Sequence, residues 1–139
     1  MTNQEKKAWL LQYRRLDDRI DRLEKEKSRW MERATKMSAP SDGMPHGSGI
    51  SDAVGQAVAK IADLQAEINR EIDRLVDLRR EIEAAIQTVG DDTMQDLLRY
   101  RYIDAMTFEE VAVRMHYSYQ WVCILHGRAL SDMQTVDSN

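Results

Sequence analysis

The sequence predicts an all-α protein, a long antiparallel helical hairpin (coiled coil) followed by a small domain of short helices. Three observations lead there. Across 139 residues, charged side chains make up 32% and aromatic ones only 6%, the balance of long solvated helices rather than of a thick globular core. Gly 6 and Pro 2 are too few to turn the many short strands of a sandwich or barrel. Apolar residues recur in alternating steps of four and three through two long stretches, the period of a helical seam.

The hairpin is expected over residues 1–90. Thr2 and Glu5 have the spacing of a capping box, so the first helix starts near the N-terminus. Its seam runs through Trp9, Tyr13, Leu16, Ile20, Leu23, Lys27, Trp30, Ala34 and Met37. Both prolines and three glycines fall in 38–51, which reads as the connecting loop, either disordered or a docking element presenting Met44 and His46. A second seam follows at Val54, Ile61, Ile68, Leu75, Ile82 and Val89, with Ala57, Leu64, Leu78 and Ala85 on one flank and Val58, Ile72 and Ile86 on the other. This stripe is wider than one partner helix needs, which points to a partner in a homodimer or to packing of the C-terminal domain. The oligomerisation candidates are Leu16, Ile20, Leu23, Ile61, Ile68, Leu75 and Ile82. The run from Arg14 to Arg29 is interleaved with Asp17, Asp18, Asp21, Glu24 and Glu26 and reads as a solvated, ion-paired face.

Gly90 reads as a helix stop and Asp91-Asp92 as the next N-cap, opening a second domain over 91–133 with a frayed tail at 134–139. Three short helices fit the apolar positions of this domain. The net charge of -4 is all here: residues 1–90 balance, whereas 91–139 hold four arginines against eight carboxylates. Nucleic acid is a poor partner for such a balance, because phosphate contacts need clustered cations.

The local pattern nevertheless points that way. Thr107 and Glu110 form a second capping box ahead of a helix to Met115. His116-Tyr117-Ser118 then breaks it, and Ser118 caps another helix from Tyr119 to Leu130. A small residue, Ala112, lies where the two helices cross, and a branched one, Val122, packs back ten positions later. These are the requirements of a helix-turn-helix, whose second helix presents its N-terminal half to a major groove. The series Leu98-Arg99-Tyr100-Arg101-Tyr102-Ile103, Thr107 with Glu110-Val111-Ala112, Ser118 with Val122, and Arg128-Ala129-Leu130 resembles region 4 of bacterial sigma-70-type factors. The whole chain is similar to the sigma-like (ArpU/RinA-like) transcriptional regulators of phages and prophages, which combine a charged helical hairpin, a loop similar to Asp42 to Gly49 and endings similar to Tyr117 to Val122 and Leu125 to Leu130.

That resemblance implies a cytoplasmic regulator in a bacterial host, acting on promoter DNA with host RNA polymerase. On the second helix, Ser118, Tyr119, Gln120, Cys123 and Ile124 are the groove candidates, with Thr107, His126 and Arg128 near the phosphates. Gln120 can fork to adenine, and Arg128 suits a phosphate. Two departures stand out: no arginine falls in the first two turns of the reading helix, and His116 occupies a turn position where Gly is usual. The alternative is a module that docks on polymerase or another regulator through Tyr119, Trp121 and Ile124 without reading DNA. Catalysis, cofactor and metal are not expected. Cys123 is the one cysteine, and with His126 it makes a single pair at ligand spacing that has no second pair to complete tetrahedral coordination. No apolar run is long enough for a bilayer.

Overall fold

The computed structural model describes residues 1–38 and 48–135. The fold is all-α, with no strand among the described residues. Two long helices, α1 (Asn3–Ser38) and α2 (Ser48–Gln87), precede three short ones, α3 (Asp92–Leu98), α4 (Phe108–Met115) and α5 (Tyr119–Asp132). The second long helix starts at Ser48 and so takes in the last four residues of the stretch expected as loop. The remainder of that loop, with Met44 and His46, lies outside the described residues, as does 136–139.

The starts of α1 and α3 are set by their caps. Glu5 N–H donates to Thr2 Oγ1 at 3.1 Å, so α1 begins where the capping box puts it. Met94 N–H donates to Asp91 Oδ1 at 3.1 Å, making Asp91 rather than Asp92 the cap of α3. Immediately after α3 the backbone widens into a π-helical turn, Arg99–Ile103, closed by Asp104 N–H on the Arg99 carbonyl at 3.0 Å. Periodicity alone does not announce this turn.

Packing divides the chain into two compact units, Met1–Asp17 with Leu75–Asn139, and Asp18–Arg74. The boundary expected at residue 90 is therefore not where the packing divides. In the first unit, Leu10 and Tyr13 of α1 and Ile82, Ala85, Ile86 and Val89 share a core with Leu98, Tyr102, Ala129, Leu130 and Met133. A polar clamp reinforces that core. Lys6, buried, donates from Nζ to the carbonyls of Leu130 at 2.8 Å and Met133 at 2.7 Å, supplying the orphan acceptors at the end of α5 with a cation. Asn3 Nδ2 reaches Ser131 Oγ at 2.9 Å, and Gly90 N–H donates to Asp132 Oδ2 at 2.9 Å. The chain expected to fray at 134 instead continues inward: Gln134 N–H donates to Thr88 Oγ1 at 2.8 Å, and Thr135 is buried.

In the second unit, Ile20, Ala57, Leu64 and Ile68 are buried between α1 and α2. Leu23, Lys27 and Trp30 are half-buried, and the Arg33 guanidinium lies 4.9 Å from the Trp30 ring. A carboxylate, Glu71, takes the flanking seam position between Leu64 and Leu78. Arg19 Nε approaches it at 3.5 Å and Arg74 at 3.1 Å, while Arg19 Nη2 holds Glu67 at 2.7 Å. Arg19 thus pairs across the two helices, whereas Lys27 with Glu24, at 3.8 Å, is the intrahelical pair the charge pattern predicts. Of the expected oligomerisation positions, Ile20, Ile68 and Ile82 are enclosed by the chain itself rather than open to a second copy. Leu16, Leu23, Ile61 and Leu75 are half-buried.

Candidate nucleic-acid interface

Residues 107–132 form two capped helices crossing over a small core. Glu110 N–H donates to Thr107 Oγ1 at 3.1 Å, and the Glu110 carboxylate receives the Thr107 hydroxyl at 3.2 Å. The helix so begun stops at His116, which adopts the left-handed conformation (φ 60, ψ 40). Its N–H and that of Tyr117 return to Val113 at 3.3 Å and Ala112 at 3.0 Å, closing the last turn of α4. Ser118 Oγ then accepts Trp121 N–H at 3.1 Å and starts α5. Leu97, Val111, Ala112, Val122 and Leu125 fill the crossing, so Ala112 and Val122 lie where their sizes require. A non-glycine residue held at positive φ is strained. Replacing His116 by Gly is therefore expected to raise stability by about 0.5–1 kcal/mol, read as a higher urea midpoint at unchanged slope.

The face of α5 turned from this core carries most of the predicted groove residues. Tyr119 is 49% and Ile124 48% exposed; Ser118, Gln120 and Arg128 are exposed and Cys123 is half-buried. Trp121 is 38% exposed, with the Arg128 guanidinium 5.4 Å from its ring, an aromatic and a cation stacked on the surface. The Tyr119 phenol titrates above its ordinary value, first through its hydrogen bond with Cys123, then through the charges of Cys123 and Glu109. Gly127 lies on the same helix. A methyl group there would meet nothing within 4 Å, so no packing inside the chain accounts for a glycine in mid-helix.

Comparison with protein-family models, curated proteins and solved structures returns no match.

Two predicted contacts change role. His126 is buried, with Nε2 2.6 Å from the Tyr102 hydroxyl and the Phe108 ring edge-on at 4.8 Å, so it is not near a phosphate path. Burial, then the charges of Lys7 and Arg101, push its pKa down to about 4. Burial likewise pushes Tyr102 up to about 12, against the opposing pull of Arg101. The sequence did hold a signal: His126 lies four residues after Val122 and three before Ala129, on the buried stripe of its helix. Thr107 is exposed, but its hydroxyl is committed to the capping box in both directions, as acceptor and as donor.

The cation supply is smaller than a count of arginines implies. Arg99 is paired with Glu83 at 3.1 Å and Asp96 at 3.8 Å. Arg101 donates to the Met106 carbonyl at 2.9 Å and lies over the Phe108 ring at 4.6 Å. Arg114, against the Tyr100 ring at 5.5 Å, and Arg128 are the two exposed arginines of residues 91–135. No group of three or more His, Cys, Asp or Glu among the described residues is arranged to hold a metal ion. No described helix is long and apolar enough to cross a membrane.

Proposed function

We propose that the chain is a DNA-binding transcriptional regulator of the phage sigma-region-4-like kind, with α5 as the helix that enters the major groove and host RNA polymerase as the partner that stabilises it on a promoter. The observation that carries this reading is the pairing of α4 and α5. Both helices are capped and share a core, and the second leaves Tyr119, Gln120, Ile124 and Arg128 on its outer face. Gln120 is the base reader, able to fork to adenine, and Arg128 at the far end of the helix meets phosphate. Gly127 between them leaves the helix backbone open to close approach.

Selection of sites from a random duplex pool, followed by titration of the selected and a scrambled duplex, tests the reading. Gln120→Ala is expected to lower discrimination at one base pair by about 1–3 kcal/mol. Arg128→Ala is expected to weaken both duplexes alike and to reduce the salt slope by about one. Equal losses on both duplexes for both variants contradict these roles.

A second reading has its own support. Two of the four arginines of residues 91–139 are consumed inside the fold, and Tyr119, Trp121 and Ile124 form an aromatic and aliphatic surface suited to protein. On that reading α5 docks on polymerase or another regulator. Its signature is a complex with polymerase, abolished by Trp121→Ala, and none with duplex alone.

A further inference from the structure

The cations counted in residues 91–139 leave out the helix packed against them. The first turns of α1 belong to the same compact unit as α5. Asn3 Nδ2 donates to Ser131 Oγ at 2.9 Å and to the Gly127 carbonyl at 3.4 Å, while Lys6 is drawn inward onto the carbonyls of Leu130 and Met133. Between that turn and α5 lies an open hollow of about 680 Å³, lined by Asn3, Ile124, Gly127, Arg128, Ser131 and Asp132. Ile124 and Arg128 belong also to the outer face of α5, so the hollow adjoins that face.

On the reading of α5 as the groove helix, on which this rests, we propose that one DNA strand runs its phosphates through the hollow, over Gly127, with Lys7 on the α1 side and Arg128 on the α5 side. Gly127 is the first support. A Cβ there would meet nothing within 4 Å, so the glycine weakens the helix without serving the fold. An approaching sugar-phosphate chain uses that room. Gly127 also follows Gln120 by two turns, and the later turns of a helix that reads with its N-terminal half lie beside the flanking backbone.

Charge is the second support. Lys7 follows Asn3 by one turn on the same side of α1. Its charge reaches α5, where it helps to keep His126 neutral. Neither Lys7 nor Arg128 has an ion pair among the described residues, which leaves both for phosphate. The carboxylate at the end of the hollow, Asp132, is turned onto Gly90 N–H at 2.9 Å. Asn3 is held by α5, so α1 brings Lys7 to this edge as a fixed part of the surface rather than as a loose arm.

Anisotropy titrations of the full chain with the selected and the scrambled duplex, over a range of salt, are the test. Lys7→Gln is expected to weaken both complexes about 3- to 10-fold at roughly 0.1 M salt and to lower the salt slope by about one, whereas Lys7→Arg keeps the slope. Gly127→Leu is expected to weaken both complexes by about 10-fold or more without lowering the urea midpoint. Gly55→Leu, the same change at another open helical glycine, is expected to leave binding as it is. Should Gly127→Leu fold poorly, the slope of Lys7→Gln decides. An unchanged slope for Lys7→Gln while Arg128→Ala lowers it, full binding by a folded Gly127→Leu, or an equal loss for Gly55→Leu overturns the strand path and leaves the DNA reading standing. A wild type that binds neither duplex overturns both.

Discussion

Replacing Lys6 by Met is expected to cost about 3 kcal/mol of stability and to lower the melting temperature by roughly 10 °C. The Lys6 ammonium is buried and donates to two carbonyls, those of Leu130 and Met133, at the end of α5. Methionine keeps the length and apolar stem of the side chain but supplies no donor, so both acceptors lose their partner in a site closed to water. The loss therefore reports on hydrogen bonds to a charged group, each worth more than a neutral one. Chemical denaturation of the two proteins measures it. A change below about 0.5 kcal/mol means that water replaces the ammonium and that the clamp is not what seats α5.

The second large effect is on acid stability. His126 is neutral in the folded chain, its pKa pushed down to about 4 by burial and by the charges of Lys7 and Arg101, with Tyr102 as its hydrogen-bond partner. Above the ordinary histidine value, near pH 6.5, neither folded nor unfolded chain binds a proton there, and the group has no influence. Between about pH 6.5 and pH 4 the unfolded chain takes up the proton and the folded chain does not, so stability falls with falling pH. The full loss is about 3 kcal/mol, and it levels off below about pH 4. Urea titrations of wild type and His126→Gln across this window measure it. The variant is expected to start less stable, through its disturbed packing, but to lose less stability on acidification. Parallel curves for the two proteins contradict the assignment.

What the sequence made legible is what is local. Thr2 with Glu5, Asp91 with Met94, Thr107 with Glu110 and Ser118 with Trp121 are contacts three residues apart, and each starts a helix where the spacing predicts. Ala112 and Val122 were legible too, because the crossing of two short helices limits residue size at one point. The distant pairings were not. Lys6 with Leu130 joins the two ends of the chain, and no periodicity links residues 124 positions apart. Without that pairing the first turns of α1 read as the open end of the hairpin, whereas they belong to the core that seats α5. The polar character of His126 and Arg101 suggests an outward position, whereas Tyr102 and the Met106 carbonyl hold them inward. Glu71 shows the converse, a carboxylate accepted into a seam because Arg19 and Arg74 reach it.

The charge arithmetic sharpens the functional question. With Arg114 and Arg128 as the exposed cations of the small helices, DNA affinity from one copy is expected to be low and to fall steeply with salt.

The most direct measurement is a nuclear magnetic resonance titration of the isotope-labelled chain with the selected duplex. Shifts are expected to concentrate at Ser118, Tyr119, Gln120, Ile124 and Arg128, with the buried Val122 and His126 following only weakly. Shifts spread along α1 and α2, or none at α5 while a complex forms, contradict the DNA reading.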